Sequence, residues 1–332
     1  MPAPKRTVVT RNNDPYIYLY IMGEWYCYNP AERLLGSGAM GDVFLGYRCK
    51  NGEPVAVKRV KDVYANNPMI RQRARQEASL AFRHDNLVEM VGICEYAPDH
   101  GPIFMVSHFV QGIDSDQYVK SLPDSDEREA KIARNIICPV LDALDYVHSR
   151  GVIHRDIKPS NIMVEQDSNV RLMDLGISRM SYGEGSQSGF IGTPEYSAPE
   201  QIKKDEGQQG VINATTDIYQ LGITMYELLD GTNPMSCDAE ADTLDRQTKT
   251  TLPQSDRISD RMMDVIWKAT AKKQAYRFQT AMEFKNAILA ALRPEPPWQQ
   301  RFADWLQDHF LVIIGIIVGV AVAFFIMVLL LT

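Results

Sequence analysis

His154-Arg155-Asp156-Ile157-Lys158-Pro159-Ser160-Asn161 puts an acid, a lysine and a carboxamide into one short stretch. It follows a run from Glu127 to His148 in which Ile132, Ile136, Val140, Leu144 and Val147 fall on one stripe. That is the pattern of a core-facing helix, closed at Gly151, and Pro139 within it predicts a kink or a local irregularity. An acid that can accept a hydroxyl proton, a cation for a phosphate and an oxygen donor for a hard metal are the groups that phosphoryl transfer to a hydroxyl uses. Any two of them alone would read as a polar loop after a helix.

The continuation separates the two readings. Ile162, Met163 and Val164 lead into a turn-rich segment, Glu165 to Asn169, and Val170 to Met173 lead out of it to Asp174. A tight hairpin is expected, with Asn161 opposite Asp174. Paired strand residues lie about 5 Å apart at Cβ, so a carboxylate and an amide oxygen would converge. Mg²⁺ takes a few such oxygens and leaves its other positions to water and phosphates.

With these residues in hand, the loop resembles the catalytic loop of eukaryotic-type protein kinases. Asp174-Leu175-Gly176 resembles their metal-binding Asp-Phe-Gly, with Leu for Phe. Upstream, Gly36-Ser37-Gly38-Ala39-Met40-Gly41 is by itself weak, because the spacing also fits a dinucleotide-binding turn. A dinucleotide site needs a helix next, whereas Val43 to Tyr47 continues as a strand, Asn51-Gly52 reads as a two-residue turn, and Pro54 to Val60 returns. Glycines between antiparallel strands make a flap over phosphates. Period two puts Ala56 and Lys58 on one face of the second strand, and that strand is similar to the kinase Val-Ala-Ile-Lys.

The resemblance extends through the rest of the chain. Ile70 to Phe82 reads as a helix in which Glu77 takes the place of the glutamate that pairs with the lysine; Arg73, four residues earlier, offers it an ordinary surface partner instead. Ser107 to Gly112 resembles the hinge, with backbone groups of His108 to Val110 on the adenine edge and the small Ser107 at the back of the pocket. Ser181 to Gly189 has the composition of a mobile loop. Ser178, Ser181, Ser186, Ser188 and Thr193 are candidate phosphate acceptors, and Arg155 is a partner for such a phosphate. A loop that is merely flexible accounts for the same composition. Gly192 to Glu200 resembles the end of an activation segment, with Ser197 where Met is frequent. Asp217 resembles the aspartate that braces the catalytic loop, and Arg277 the arginine that pairs with Glu200.

The resemblance covers about residues 31–292 and implies an α+β, bilobed fold: a small antiparallel-sheet N-lobe, 31–106, and a mainly helical C-lobe, 107–292. It implies Asp156 as base for the substrate hydroxyl and Lys158 on the transferring phosphate. Asn161 and Asp174 would bind Mg²⁺, with Mn²⁺ as a substitute. Gly36, Ser37, Gly38, Gly41, Val43, Ala56, Lys58, Glu77, His108 and Val110 would surround ATP. Lys158 together with Thr193 resembles serine/threonine rather than tyrosine specificity, and the wording is closest to bacterial kinases of this type. The expected reaction is transfer of the ATP γ-phosphate to protein Ser or Thr, including the chain's own loop. A nucleotide-binding scaffold without turnover is the alternative, and a small-molecule kinase is disfavoured by the segment 192–200.

Composition agrees with this expectation. The 332 residues are 45% hydrophobic, enough for a full core, and a net charge of −7 argues against nucleic acid as a partner. Five scattered cysteines without metal-ligand spacing read as reduced thiols. Residues 1–30 are aromatic and β-prone, read as one or two extra strands or a packing flap. No secretory signal is evident there, because Arg11 to Pro15 breaks the apolar run. After a juxtamembrane linker, 293–310, the uncharged run Leu311 to Leu331 spans about 31 Å as a helix, a bilayer's hydrocarbon core. A single-pass anchor with the kinase domain on the cytoplasmic side is expected, with Gly315 and Gly319 as a close-approach face for a homodimer.

Overall fold

The computed structural model describes residues 7–38, 41–79, 82–98, 100–174, 193–202 and 211–294, with short helical pieces beyond; side chains at 73 and 76–79 are not among them. Two units divide the chain, 1–291 and 292–332.

The first unit begins with an antiparallel sheet. Its strands are β1 (Val8–Thr10), β2 (Ile17–Ile21), β3 (Glu24–Tyr28), β4 (Leu34–Ser37), β5 (Gly41–Arg48), β6 (Pro54–Val60), β7 (Met90–Glu95) and β8 (Ile103–His108). The order is β1-β2-β3-β5-β6-β8-β7, with β4 also on β5. The aromatic N-terminus thus supplies three strands, more than its composition suggested. Alternation explains why it joins the sheet: Leu19, Ile21, Tyr26 and Tyr28 point inward onto Phe44, Val55, Val57, Phe104 and Val106. The two ends of the strand order also meet. Thr7 Oγ1 donates to the Glu95 carbonyl at 2.7 Å, and the Cys94 thiol donates to the Thr7 carbonyl at 3.1 Å.

The β5–β6 connection differs from a two-residue turn. Arg48 N–H bonds the Glu53 carbonyl at 2.8 Å, so Cys49 to Gly52 form a four-residue link. Gly52 closes it at φ 72°, a conformation open to glycine. At the other end of β5, a side chain is excluded at Gly41, where a Cβ would lie 2.5 Å from the Arg59 carbonyl.

Helices α1 (Asp62–Ala65) and α2 (Pro68–Ser79) follow β6. Arg71 on α2 is 2% exposed and donates to Glu95 Oε1 at 2.7 Å, the Ala97 carbonyl at 2.8 Å and the Gly101 carbonyl. Arg75 reaches Glu95 Oε2 at 2.7 Å. Two turns of α2 are therefore clamped to the β7–β8 hairpin through one carboxylate.

The helical lobe contains α3 (Ser115–Ser121), α4 (Arg128–Ile132), α5 (Cys138–His148), α6 (Pro199–Ile202), α7 (Ala214–Asp230), α8 (Glu240–Lys249), α9 (Asp260–Ala269) and α10 (Ala281–Ala291). A small sheet, β9 (Gly112–Asp114), β10 (Ile162–Glu165) and β11 (Val170–Leu172), lies beside them in the order β11-β10-β9. The stripe read over Glu127 to His148 is one helical path with a wide π-turn at Ala133–Ile137, just before Pro139. Proline has no N–H for the turn before it, and the wider turn removes the clash its ring would make. Helix α7 is buried over nearly its whole length, capped by Asn213 and ended by Gly231 at φ 94°.

In the second unit, Trp305 stacks on His309 with centroids 4.8 Å apart. No helix among the described residues is long and apolar enough to cross a membrane. The run Leu311 to Leu331, including Gly315, lies outside the described residues except for Ile314 and Gly319.

Candidate active site

The loop from His154 to Asn161 is positioned by the middle of α7. Asp217, fully buried, accepts the His154 N–H at 2.8 Å, the Arg155 N–H at 2.7 Å and His148 Nε2 at 2.7 Å. This carboxylate holds Arg155 at φ 68°, a conformation L residues avoid without outside support. One turn on, Gln220 accepts the Ile157 N–H at 3.0 Å and donates to the Arg155 carbonyl at 3.0 Å; Thr224 donates to the Ile157 carbonyl at 3.3 Å. Asp217, Gln220 and Thr224 form an i, i+3, i+7 polar stripe along the buried middle of the helix. Sequence reading identified the aspartate and missed the other two, although the periodicity was available.

Asp156 comes out of this frame nearly buried, and Asn161 donates Nδ2–H to both its carbonyl and its Oδ2, each at 2.8 Å. Lys158 Nζ lies 3.7 Å from Asp156 Oδ2 and donates to Thr193 Oγ1 at 2.9 Å. The segment that begins at Thr193 therefore touches Lys158.

The hairpin register corrects one expectation. Ile162 pairs with Leu172, and Met173 N–H bonds the Asn161 carbonyl at 2.8 Å, so Asn161 stands opposite Met173 rather than Asp174. Asp174 follows at φ 48°, a turn that redirects its carboxylate toward β6. There Lys58 Nζ donates to Asp174 Oδ2 at 3.0 Å. The Lys58 ammonium beside Asp174, working against desolvation, holds its carboxyl below the usual carboxylate range.

Lys58 stands opposite Val43 on β5 and Met105 on β8, beneath the glycine turn. In that turn Gly36 pairs with Val43 and Ser37 with Asp42, Ser37 Oγ donates to Asp42 Oδ1 at 2.6 Å, and Gly38 N–H bonds the Gly41 carbonyl at 2.9 Å. Ala56 lies opposite Ser107, and His108 N–H is bound to the Glu89 carbonyl at 3.0 Å as the chain leaves β8 toward Val110. Glu77 is on α2, but its side chain lies outside the described residues, as do Leu175, Gly176, Ser178, Ser181, Ser186, Ser188 and Gly192.

The donor set suits a hard cation. Asp174 offers a carboxylate, 45% exposed at the side chain, and Asn161 has committed its NH₂ to Asp156, which leaves Oδ1 for a metal. Glu200 and Arg277 form a bidentate buried pair, 2.7 and 2.9 Å, that ties α6 to the α9–α10 connection.

Burial also sets a pH dependence. Desolvation holds the fully buried His154 imidazole below its ordinary 6.5. Asp217 is disfavoured as an anion by burial, yet the bonds from His148 and the loop amides hold its carboxyl below 3.8. Below about pH 6.5 the unfolded chain takes up a proton at His154 that the folded chain refuses, so stability falls with pH until the folded value is passed. Asp217 contributes stability that persists above its ordinary value and is lost lower still. Urea unfolding between pH 7.5 and 5 should show this decline, and His154→Gln should flatten it; an unchanged midpoint in the unmodified chain would contradict the assignment.

Comparison with known proteins shows the family. A family model described as the protein kinase domain matches residues 30–288. The serine/threonine-protein kinase PknB of Mycobacterium tuberculosis is 31% identical over 275 residues, 80% of this chain and 43% of that protein. PknH of Mycobacterium bovis is 32% identical over 283 residues, 83% of this chain and 46% of that protein. The chain thus spans less than half the length of these relatives. The crystal structure of the Mycobacterium tuberculosis PknI kinase domain superposes with a TM-score of 0.59 at 23% identity, covering 85% of this chain and 99% of that one.

Proposed function

Because the chain belongs to the protein kinase domain family, we propose that it is an ATP-dependent serine/threonine protein kinase. The observation that carries the reading is the convergence of Lys58, Asp174, Asn161, Asp156, Lys158 and Thr193 through bonds contributed by both lobes. In this reading, the glycine turn from Gly36 to Gly41 with Val43 covers the ATP phosphates, and Lys58 neutralises them, held by Glu77. Ala56 and the backbone of His108 and Val110 enclose the adenine. Asp156 receives the proton of a Ser or Thr hydroxyl, and its fixed bond to Asn161 keeps one oxygen oriented for that. Lys158 rests on the phosphate in transfer, between Asp156 and the segment ending at Thr193. Asn161 and Asp174 hold Mg²⁺, which supplies positive charge against the phosphate oxygens.

The same reading takes Ser178, Ser181, Ser186, Ser188 and Thr193 as sites of self-phosphorylation, with Arg155 as the partner of the added phosphate. It places the kinase on the inner face of a membrane, anchored through Leu311 to Leu331, with Gly315 and Gly319 available for pairing with a second copy. The hydropathy of that run and the ATP requirement support this placement.

Incubation of the full chain with labelled ATP and Mg²⁺, with and without EDTA, tests the proposal. Label on Ser or Thr of the chain or of a protein substrate, abolished by EDTA, is the expected result. ATP binding with no transfer to any protein would favour a nucleotide-binding scaffold.

A further inference from the structure

Two of the five cysteines are brought together by the extra strands. In the β3–β5 ladder Cys27 pairs with Tyr47, and Cys49 N–H bonds the Trp25 carbonyl at 2.8 Å. Cys27 and Cys49 are therefore diagonal neighbours on one face of the sheet. This is the outer face, since Tyr26 and Tyr28 on β3 point into the core. Both cysteines are free, Cys49 exposed and Cys27 half-buried.

We propose that Cys27 and Cys49 are a redox-modification site, a dithiol that peroxide converts to a disulfide joining the N-terminal strands to the β5–β6 hairpin. The environment assigns the two roles. Burial first, and the neighbouring Cys49 thiol next, push the Cys27 thiol up to about 12, with Asp14 and Glu32 adding in the same direction. Cys27 thus remains protonated, and Cys49, the exposed one of the two, is the sulfur that peroxide reaches first. The Cys49 sulfur attacks one peroxide oxygen, the O–O bond breaks, and the leaving hydroxide takes the Cys49 proton as the first water. The resulting sulfenic acid is attacked by the Cys27 sulfur; the S–O bond breaks and the Cys27 proton leaves with the oxygen as water. Two thiols and one peroxide give one disulfide and two waters.

Diagonal partners have Cα atoms roughly 7–8 Å apart, beyond the separation a relaxed disulfide prefers. Cys49 lies one residue past the end of β5, in the four-residue link, where a small backbone shift closes the gap without breaking the ladder. A bond formed this way is strained and easily reduced, the property of a sensing rather than a structural disulfide.

The test is hydrogen peroxide treatment of the reduced full chain, alkylation of the remaining thiols, and peptide mapping without reductant. Alkylatable thiols should fall from five to three, with a Cys27–Cys49 linked peptide two hydrogens lighter than its parts and reversed by dithiothreitol. In Cys27→Ser, Cys49 should stop at a sulfenic acid that dimedone traps; in Cys49→Ser, Cys27 should remain alkylatable. Cys49 is exposed, so its variant folds even if the Cys27 variant does not. Cys49 oxidised to sulfinic acid beside an unmodified Cys27 would overturn the proposal. So would a bond from either to Cys94, or a link between the Cys49 residues of two molecules.

Discussion

Asp156→Asn lowers phosphate transfer by about 10²–10⁴-fold, the range for removing a positioned general base, while ATP affinity stays within about twofold. The substitution is close to isosteric, and the new amide can still accept the Asn161 Nδ2–H that now goes to Asp156 Oδ2 at 2.8 Å. The loop amides of Arg155 and Ile157 are bound to Asp217 and Gln220, and the Ile157 carbonyl to Thr224, rather than to the Asp156 side chain, so the backbone path survives. What disappears is the acceptor for a hydroxyl proton. Single-turnover transfer beside equilibrium nucleotide binding separates the two effects. A variant retaining more than a tenth of the rate would remove Asp156 from the proton's path.

Glu200→Ala has the largest expected cost in stability, about 3–5 kcal/mol, because it leaves the Arg277 guanidinium charged and buried. Both side chains are almost fully enclosed, 0% and 5% exposed. Arg277 keeps its bonds to the carbonyls of Ala271, Thr215 and Lys272, which satisfy its donors without neutralising its charge. For a unit of this size the midpoint should drop by roughly 10 °C. The pair Glu200→Leu with Arg277→Met should recover much of the loss, since the destabilisation comes from the orphaned charge rather than from a missing attraction. A single variant melting within a degree or two of the unmodified chain would contradict the burial argument.

The chemistry-bearing parts of the fold were legible because they are short in sequence. His154 to Asn161, the glycine turn with Lys58, and the Asp217 helix each bring their groups together within a few turns of helix or one hairpin. The errors arose where a local turn decides the outcome. Asn161 was set opposite Asp174, but Glu165 N–H bonds the Asn169 carbonyl with Ser168 at φ 69°, and this three-residue turn moves the register by one. The β5–β6 link absorbed two more residues than Asn51-Gly52 implied, for the same kind of reason. Pro139 announced an irregularity without revealing that it would be a π-turn. The Arg71, Arg75 and Glu95 clamp joins residues twenty or more positions apart, so no spacing rule reaches it. Val8–Thr10 is too short for its alternation to stand out.

The contact between Thr7 and the β7 edge has a consequence for solubility. An open sheet ends in two rows of unpaired amides and carbonyls, each a template on which another chain can add a strand. Here β3 occupies the part of the β5 flank that β4 leaves, and Thr7 meets β7 at Cys94 and Glu95. Thr7 takes up the Glu95 carbonyl of one row, and β3 takes up part of the other. Residues 7–28 thus act as a guard against edge-to-edge association, and a chain shortened to begin near residue 31 should aggregate at concentrations the full chain tolerates.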